Sequence, residues 1–213
     1  MTGKQENYYI ALPESSRGPG ILVLHAWWGL NDFFKSFCDR LAGEGFVVLA
    51  PDLYHGKIAN SIPEAENLRK KTNQNQICAE ILAAMDVLNA LPGVTNQPNR
   101  VIGFSMGAYW ALWLALEKPK EIGAVIVFYG SRSGDYSQSQ AAFQGHFAET
   151  DRWVSTSGLK KMEKNLRSAK RPTTIYTYPG TGHWFFENDR EEAYHPEAAQ
   201  LAWERTLAFL KAQ

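Results

Sequence analysis

Gly103-Phe104-Ser105-Met106-Gly107 places a serine with a glycine two residues to either side. At a sharp strand-to-helix turn the serine is forced into a strained backbone, and side chains at those two places would collide with strand and helix. A serine hydroxyl is a poor nucleophile near neutrality and needs a general base, itself oriented by a carboxylate. The base has three downstream candidates, His146, His183 and His195. His146 falls inside a strand pattern and reads as a packed or edge residue. His195 precedes the helix-opening Pro196, where a capping or solvent role fits. His183 ends the glycine-rich loop Pro179-Gly180-Thr181-Gly182, and is taken as the base. For the carboxylate, Asp135 comes one strand early and Glu149 lies two residues off. Asp151, just before Arg152-Trp153-Val154, is the choice. Serine, aspartate, histidine is also a chain order in which such triads occur. The chemistry this implies is acyl transfer through Ser105.

An acyl-transfer site also needs N–H donors for the developing oxyanion. Met106, opening the helix, supplies one. The second is expected from Trp27, on the loop after the strand Ile21–His25. Trp28, Tyr129 and Trp184, with Trp27, are candidate walls of a pocket for a small apolar or partly aromatic acyl group. Nothing in this constellation implies a metal or an organic cofactor.

These residues need strands to carry them to one edge of a sheet. Val101-Ile102 precede the elbow and Ala108 to Leu116 follow as a helix-forming run. The continuous apolar runs Ile21–His25, Phe46–Ala50 and Ala124–Tyr129 read as strands buried on both faces. Tyr8–Leu12, Ala141–Phe147 and Thr173–Tyr178 are further strands. Helices are expected from Asp32 to Gly45, from Ile77 to Leu91, from about Ser157 with Leu159, Met162 and Leu166 inward, and from Pro196 with the stripe Ala199, Trp203, Leu207, Leu210. Residues 52–73 read as a loop, with at most a short helix after Pro63. Strands alternating with helices predict right-handed crossovers and an α/β fold: a mostly parallel sheet with helices on both faces, in one domain spanning 1–213.

With 22 Lys plus Arg against 22 Asp plus Glu, the formal net charge of zero argues against nucleic acid or an anionic membrane as the main partner. The cluster Lys160, Lys161, Lys164, Arg167, Lys170, Arg171 reads as the wet face of a helix. Two cysteines, Cys38 and Cys78, lie in apolar helical stripes and read as buried thiols in a reducing compartment. The polar start of the chain and the lack of a long apolar run suit a cytoplasmic protein, monomeric or a small homo-oligomer.

Beyond the elbow, Trp27-Trp28-Gly29-Leu30-Asn31, Leu41-Ala42-Gly43-Glu44-Gly45-Phe46, Pro51-Asp52-Leu53-Tyr54 and Gly182-His183-Trp184-Phe185-Phe186 resemble segments of the dienelactone hydrolase family of small α/β-hydrolases. So does the tail around Ala198-Ala199, Ala202-Trp203 and Arg205-Thr206-Leu207. The resemblance covers most of the chain and implies hydrolysis of a small ester or lactone, with the triad on Ser105, Asp151 and His183. Three positions depart from the family pattern. Its usual cysteine nucleophile is Ser105, the glutamate before its oxyanion-hole residue is Ala26, and a substrate-binding arginine four residues after the histidine is Glu187. A serine attacked by an ordinary base needs no glutamate to manage a thiol's proton. An acid at 187 would repel a carboxylate, which favours neutral esters or lactones. A non-catalytic ligand-binding relative, a thioesterase and an acyltransferase are the other readings.

Overall fold

Each short apolar run becomes a strand with no solvent face. The computed structural model describes residues 7–95 and 98–213, and internal contacts divide the chain into two compact units, 1–97 and 98–213.

In the first unit, β1 (Tyr8–Ala11) pairs antiparallel with β3 (Val47–Pro51), and β2 (Gly20–Leu24) pairs parallel with β3 on its other edge. All five residues of β2 and of β3 are buried. Helix α1 (Asp32–Gly43) connects β2 to β3 and packs Phe34, Phe37, Cys38 and Leu41 inward. Asn31 caps it, its side chain accepting from the Phe34 N–H at 3.3 Å.

Residues 52–73 are less loop-like than the pattern predicts. Helix α2 (Ile62–Lys71) occupies ten of them. Its only buried residue is Ala65, so the apolar stripe that announces a helix is missing. Its caps take over that role. Ser61 Oγ accepts from the Glu64 N–H, and the Glu64 carboxylate accepts from the Asn60 N–H at 2.8 Å. Asn73 likewise starts α3 (Gln74–Ala90) a turn before Ile77, accepting from the N–H groups of Asn75 and Gln76. Cys38 is fully buried as expected, whereas Cys78, on α3, is half-buried.

The second unit carries four parallel strands in sequence order: β4 (Asn99–Phe104), β5 (Ile122–Phe128), β6 (Ala142–Ala148) and β7 (Thr173–Tyr178). Helix α4 (Met106–Glu117) joins β4 to β5. It is apolar on nearly every side and buries Trp110, Leu112 and Leu114 together, as a helix deep in a core must. Helix α5 (Thr156–Ser168) joins β6 to β7, and α6 (Pro196–Lys211) ends the chain. The β5–β6 crossover breaks the alternation, because the loop after Tyr129 holds no helix. Fully buried Tyr136 fills the space instead, edge-on to Phe143 at 5.4 Å, with its hydroxyl on the Arg132 carbonyl. The lysines of α5 face solvent, but Arg171 leaves that basic face and donates to the carbonyls of Ala169 and Ser139. Among the described residues, no helix is long and apolar enough to cross a membrane.

Candidate active site

Ser105 stands between β4 and α4 with φ +50°, left-handed backbone that a serine adopts only under constraint. Its own N–H donates to the Phe128 carbonyl at 2.9 Å, which ties the turn to the end of β5. Its carbonyl then accepts from Ala108 and Tyr109, the first turn of α4. Two glycines permit this. A Cβ on Gly103 would run into the Gly107 carbonyl, and one on Gly130 would strike the Ser105 carbonyl and Ala108. Met106 is the first residue of α4, so its amide lies at the positive end of the helix.

Asp151 and His183 come from neighbouring strands. β6 and β7 pair up to Ala148↔Tyr178, and the loops beyond stay laced together. Glu149 N–H donates to the Tyr178 carbonyl and Thr150 N–H to the Thr181 carbonyl, at 3.2 and 3.1 Å. The Glu149 carboxylate accepts from the Gly180 N–H at 2.9 Å. Three successive bonds thus fix the spacing between the loop that carries Asp151 and the loop that carries His183.

The structure brings Ser105, His183 and Asp151 into one line. His183 Nδ1 lies 2.6 Å from Asp151 Oδ2, and Nε2 lies 2.9 Å from Ser105 Oγ. An ionised carboxylate only accepts, so Nδ1 carries the proton and Nε2 presents its lone pair to the serine hydroxyl. Asp151 Oδ1 is occupied separately, accepting from the N–H groups of Trp153 and Val154 at 2.8 and 3.0 Å. The His183 and Asp151 side chains are 4% and 9% exposed, so little water competes for either bond.

The remaining expected residues take different places. Trp184 adjoins His183, its ring edge-on to the imidazole at 4.9 Å and its backbone at φ +68°. Tyr129 is fully buried rather than an open wall. Its ring lies 4.8 Å from that of His183, and its hydroxyl donates to Glu187 Oε1 at 2.6 Å. Burial, and then the Glu187 carboxylate, push the Tyr129 phenol well above its ordinary pKa, so the proton stays on the tyrosine. Glu187 is itself fully buried, capped by that hydroxyl. Trp27 and Trp28 belong to the first unit, on the loop after β2, packed edge-on at 5.5 Å.

The histidines and carboxylates set aside are likewise accounted for. His146 sits in β6, fully buried, with Nδ1 on the Tyr178 hydroxyl at 2.7 Å and Nε2 facing Gln144 and Thr206. Burial, with the Arg205 charge, pulls its pKa down to about 3, so it is neutral. His195 is the N-cap of α6, accepting from the Ala198 N–H. Asp135 closes an exposed turn with the Ser137 N–H. Sequence reasoning missed the clasp made by Glu149 and the Tyr129–Glu187 couple. The place of Glu149 directly after β6 was the available signal for the first. Among the described residues, no three His, Cys, Asp or Glu side chains gather as metal ligands.

The model of the dienelactone hydrolase family matches residues 7–213. The protein usf of Aquifex pyrophilus is 32% identical over 212 residues, 95% of this chain and 91% of that protein. A Saccharolobus solfataricus protein, named as a candidate carboxymethylenebutenolidase, is 31% identical over 248 residues, covering 98% of this chain and 95% of its own. The crystal structure of a candidate dienelactone hydrolase from Klebsiella pneumoniae superposes with a TM-score of 0.81 at 25% identity, over 94% of this chain and 90% of that one. The α/β fold with a mostly parallel sheet is therefore the one that the strand and helix pattern predicts.

Proposed function

Because this chain belongs to the dienelactone hydrolase family, we propose that it hydrolyses small carboxylic esters or lactones through an acyl intermediate on Ser105. The observation that carries this reading is the hydrogen-bonded line Ser105–His183–Asp151, at 2.9 and 2.6 Å. Ser105 Oγ attacks the carbonyl carbon while His183 Nε2 takes its proton. Asp151 keeps the ring in the required tautomer and stabilises the imidazolium. The Met106 N–H, at the positive end of α4, is one donor to the oxyanion. Collapse breaks the acyl–oxygen bond, and His183 returns the proton to the leaving oxygen. With a lactone that oxygen stays attached to the acyl chain. Water, deprotonated by the same imidazole, then frees Ser105.

The departures at 105 and 26 support an ordinary serine mechanism. A serine hydroxyl already held on Nε2 needs no carboxylate at 26 to release it, and Ala26 provides none. The name of the Saccharolobus relative supports including lactones among the substrates. The test is a fluorophosphonate probe with a parallel screen of p-nitrophenyl esters and lactones. Wild type is expected to label stoichiometrically and to turn over at least one substrate, and Ser105→Ala to do neither while remaining folded. A wild-type protein that neither labels nor turns over would sink the proposal.

A further inference from the structure

Tyr129 and Glu187 are buried, charged or polar, and unused by a three-residue mechanism. We infer that this couple is a second carboxylate support for the catalytic imidazole, fixing the face on which His183 rests and setting a negative charge behind it. The inference rests on the reading of Ser105, His183 and Asp151 as a working triad.

The positional half follows from how Tyr129 is held. Its backbone is left-handed at φ +38°, and its N–H donates to the His146 carbonyl at 2.8 Å. The next residue, Gly130, presses against the Ser105 carbonyl. The Tyr129 ring is packed between Phe185 at 5.7 Å and Phe104 at 6.3 Å, and inclines at 58° to the imidazole. What remains to be fixed is sliding along the ring's long axis, and the hydroxyl bond to Glu187 fixes it. Turning and sliding of the imidazole support are both stopped, so Nε2 stays on Ser105.

The electrostatic half follows from what that bond joins. Tyr129 donates to Glu187 Oε1 at 2.6 Å, and the Glu187 carboxylate, next to burial, is what holds the phenol proton in place. When His183 takes the serine's proton it becomes a cation between two anions, Asp151 directly and Glu187 beyond the tyrosine ring. The charged and titratable neighbours are few. Asp151 and Ser105 face His183. Glu187, Asp189 and Asp151 act on Tyr129, and Asp189 is paired with Arg190 at 2.8 Å. His146, on β6, is neutral. Removing the Glu187 charge therefore leaves Asp151 as the main support of the imidazolium. Tyr129 and Glu187 are positioning residues, since they act through His183.

Glu187→Gln separates charge from geometry, because the amide oxygen can still accept from Tyr129. A unit charge one side-chain length away, in an effective dielectric of about 20 to 40, moves a partner's pKa by about one unit. The readout is the pH dependence of Ser105 inactivation by a fluorophosphonate, beside kcat and KM on a neutral p-nitrophenyl ester. In Glu187→Gln the acid limb is expected to move down by about one pH unit. The plateau rate and kcat should fall up to about tenfold, with KM unchanged. A profile that superimposes on wild type, with rates within about twofold, overturns the inference and leaves the triad standing. Absence of labelling in wild type is a different failure, that of the triad itself. Should Glu187→Gln not fold, Tyr129→Phe keeps the ring and strips the donor. The buried carboxyl then takes up a proton, and the same downward shift is expected. An unmoved limb in that variant, or failure of both variants to fold, assigns the couple to packing alone and overturns the inference.

Discussion

Asp151→Asn replaces one oxygen by an amide nitrogen with almost no change of volume. The backbone N–H groups of Trp153 and Val154 both need an acceptor at Oδ1. The new side chain therefore keeps its oxygen there and turns its NH2 toward His183. A donor facing Nδ1 drives the imidazole proton to Nε2, and Nε2–H then points at Ser105 Oγ instead of receiving from it. Restoring the working tautomer means flipping the amide, at about 1–2 kcal/mol for the two displaced backbone bonds. The imidazolium also loses its partner charge, which is worth about 4 kcal/mol at contact distance and an effective dielectric of about 20. The sum of about 5–6 kcal/mol corresponds to a loss of about 10⁴-fold. The measurement is kcat/KM on a p-nitrophenyl ester at the pH optimum, with a thermal melt to verify folding and Asp135→Asn as a control expected to match wild type. A folded Asp151→Asn protein within tenfold of wild type would refute the reasoning, since neither tautomer nor charge would then matter.

Ser105→Ala and His183→Ala are each expected to lower kcat by several decades, and the double variant by little more, because the two groups act as one unit; additive losses in a double-mutant cycle would break that link. Gly103→Ala forces the new Cβ against the Gly107 carbonyl, which is backbone and cannot swing aside. Urea denaturation should show a loss of at least about 2 kcal/mol together with reduced turnover, and wild-type behaviour would count against the tight elbow. His146 supplies a pH dependence of stability. Its folded pKa of about 3 lies below the ordinary 6.5, so the unfolded chain binds the proton first. Stability from this group is whole above pH 6.5 and declines by about 2 kcal/mol on going to pH 5. The slope of Tm against pH in that window should flatten in His146→Gln, and an unchanged slope would place the acid sensitivity elsewhere.

The buried strands were legible because they leave unbroken apolar runs, as in Ala124–Tyr129. Helix α2 was not, because a helix that buries Ala65 alone has no stripe to see. The crossover after β5 reads as a polar loop, Ser131 to Gln140, and it does hold no helix; what the sequence did not show is that Tyr136 within it is fully buried, edge-on to Phe143. At the site, Ser105 and His183 announced themselves by glycine-rich turns at strand ends. Asp151 followed from strand counting. Tyr129 and Glu187 lie 58 residues apart and meet only in three dimensions, so no local pattern carries their bond. Glu187 alone, read along the chain, looks like an acid that would repel a carboxylate. In the fold it is fully buried and held by a tyrosine.

Three residues at the candidate site that are not glycine hold left-handed backbone: Ser105, Tyr129 and Trp184. Glycine would sit more comfortably at each. A library selected only for heat resistance should therefore drift toward glycine at 105 and lose turnover there, whereas at 129 and 184 the buried rings should stay, because a glycine in either place would leave a cavity. At 129 and 184 the left-handed backbone is held by the burial of the ring it carries.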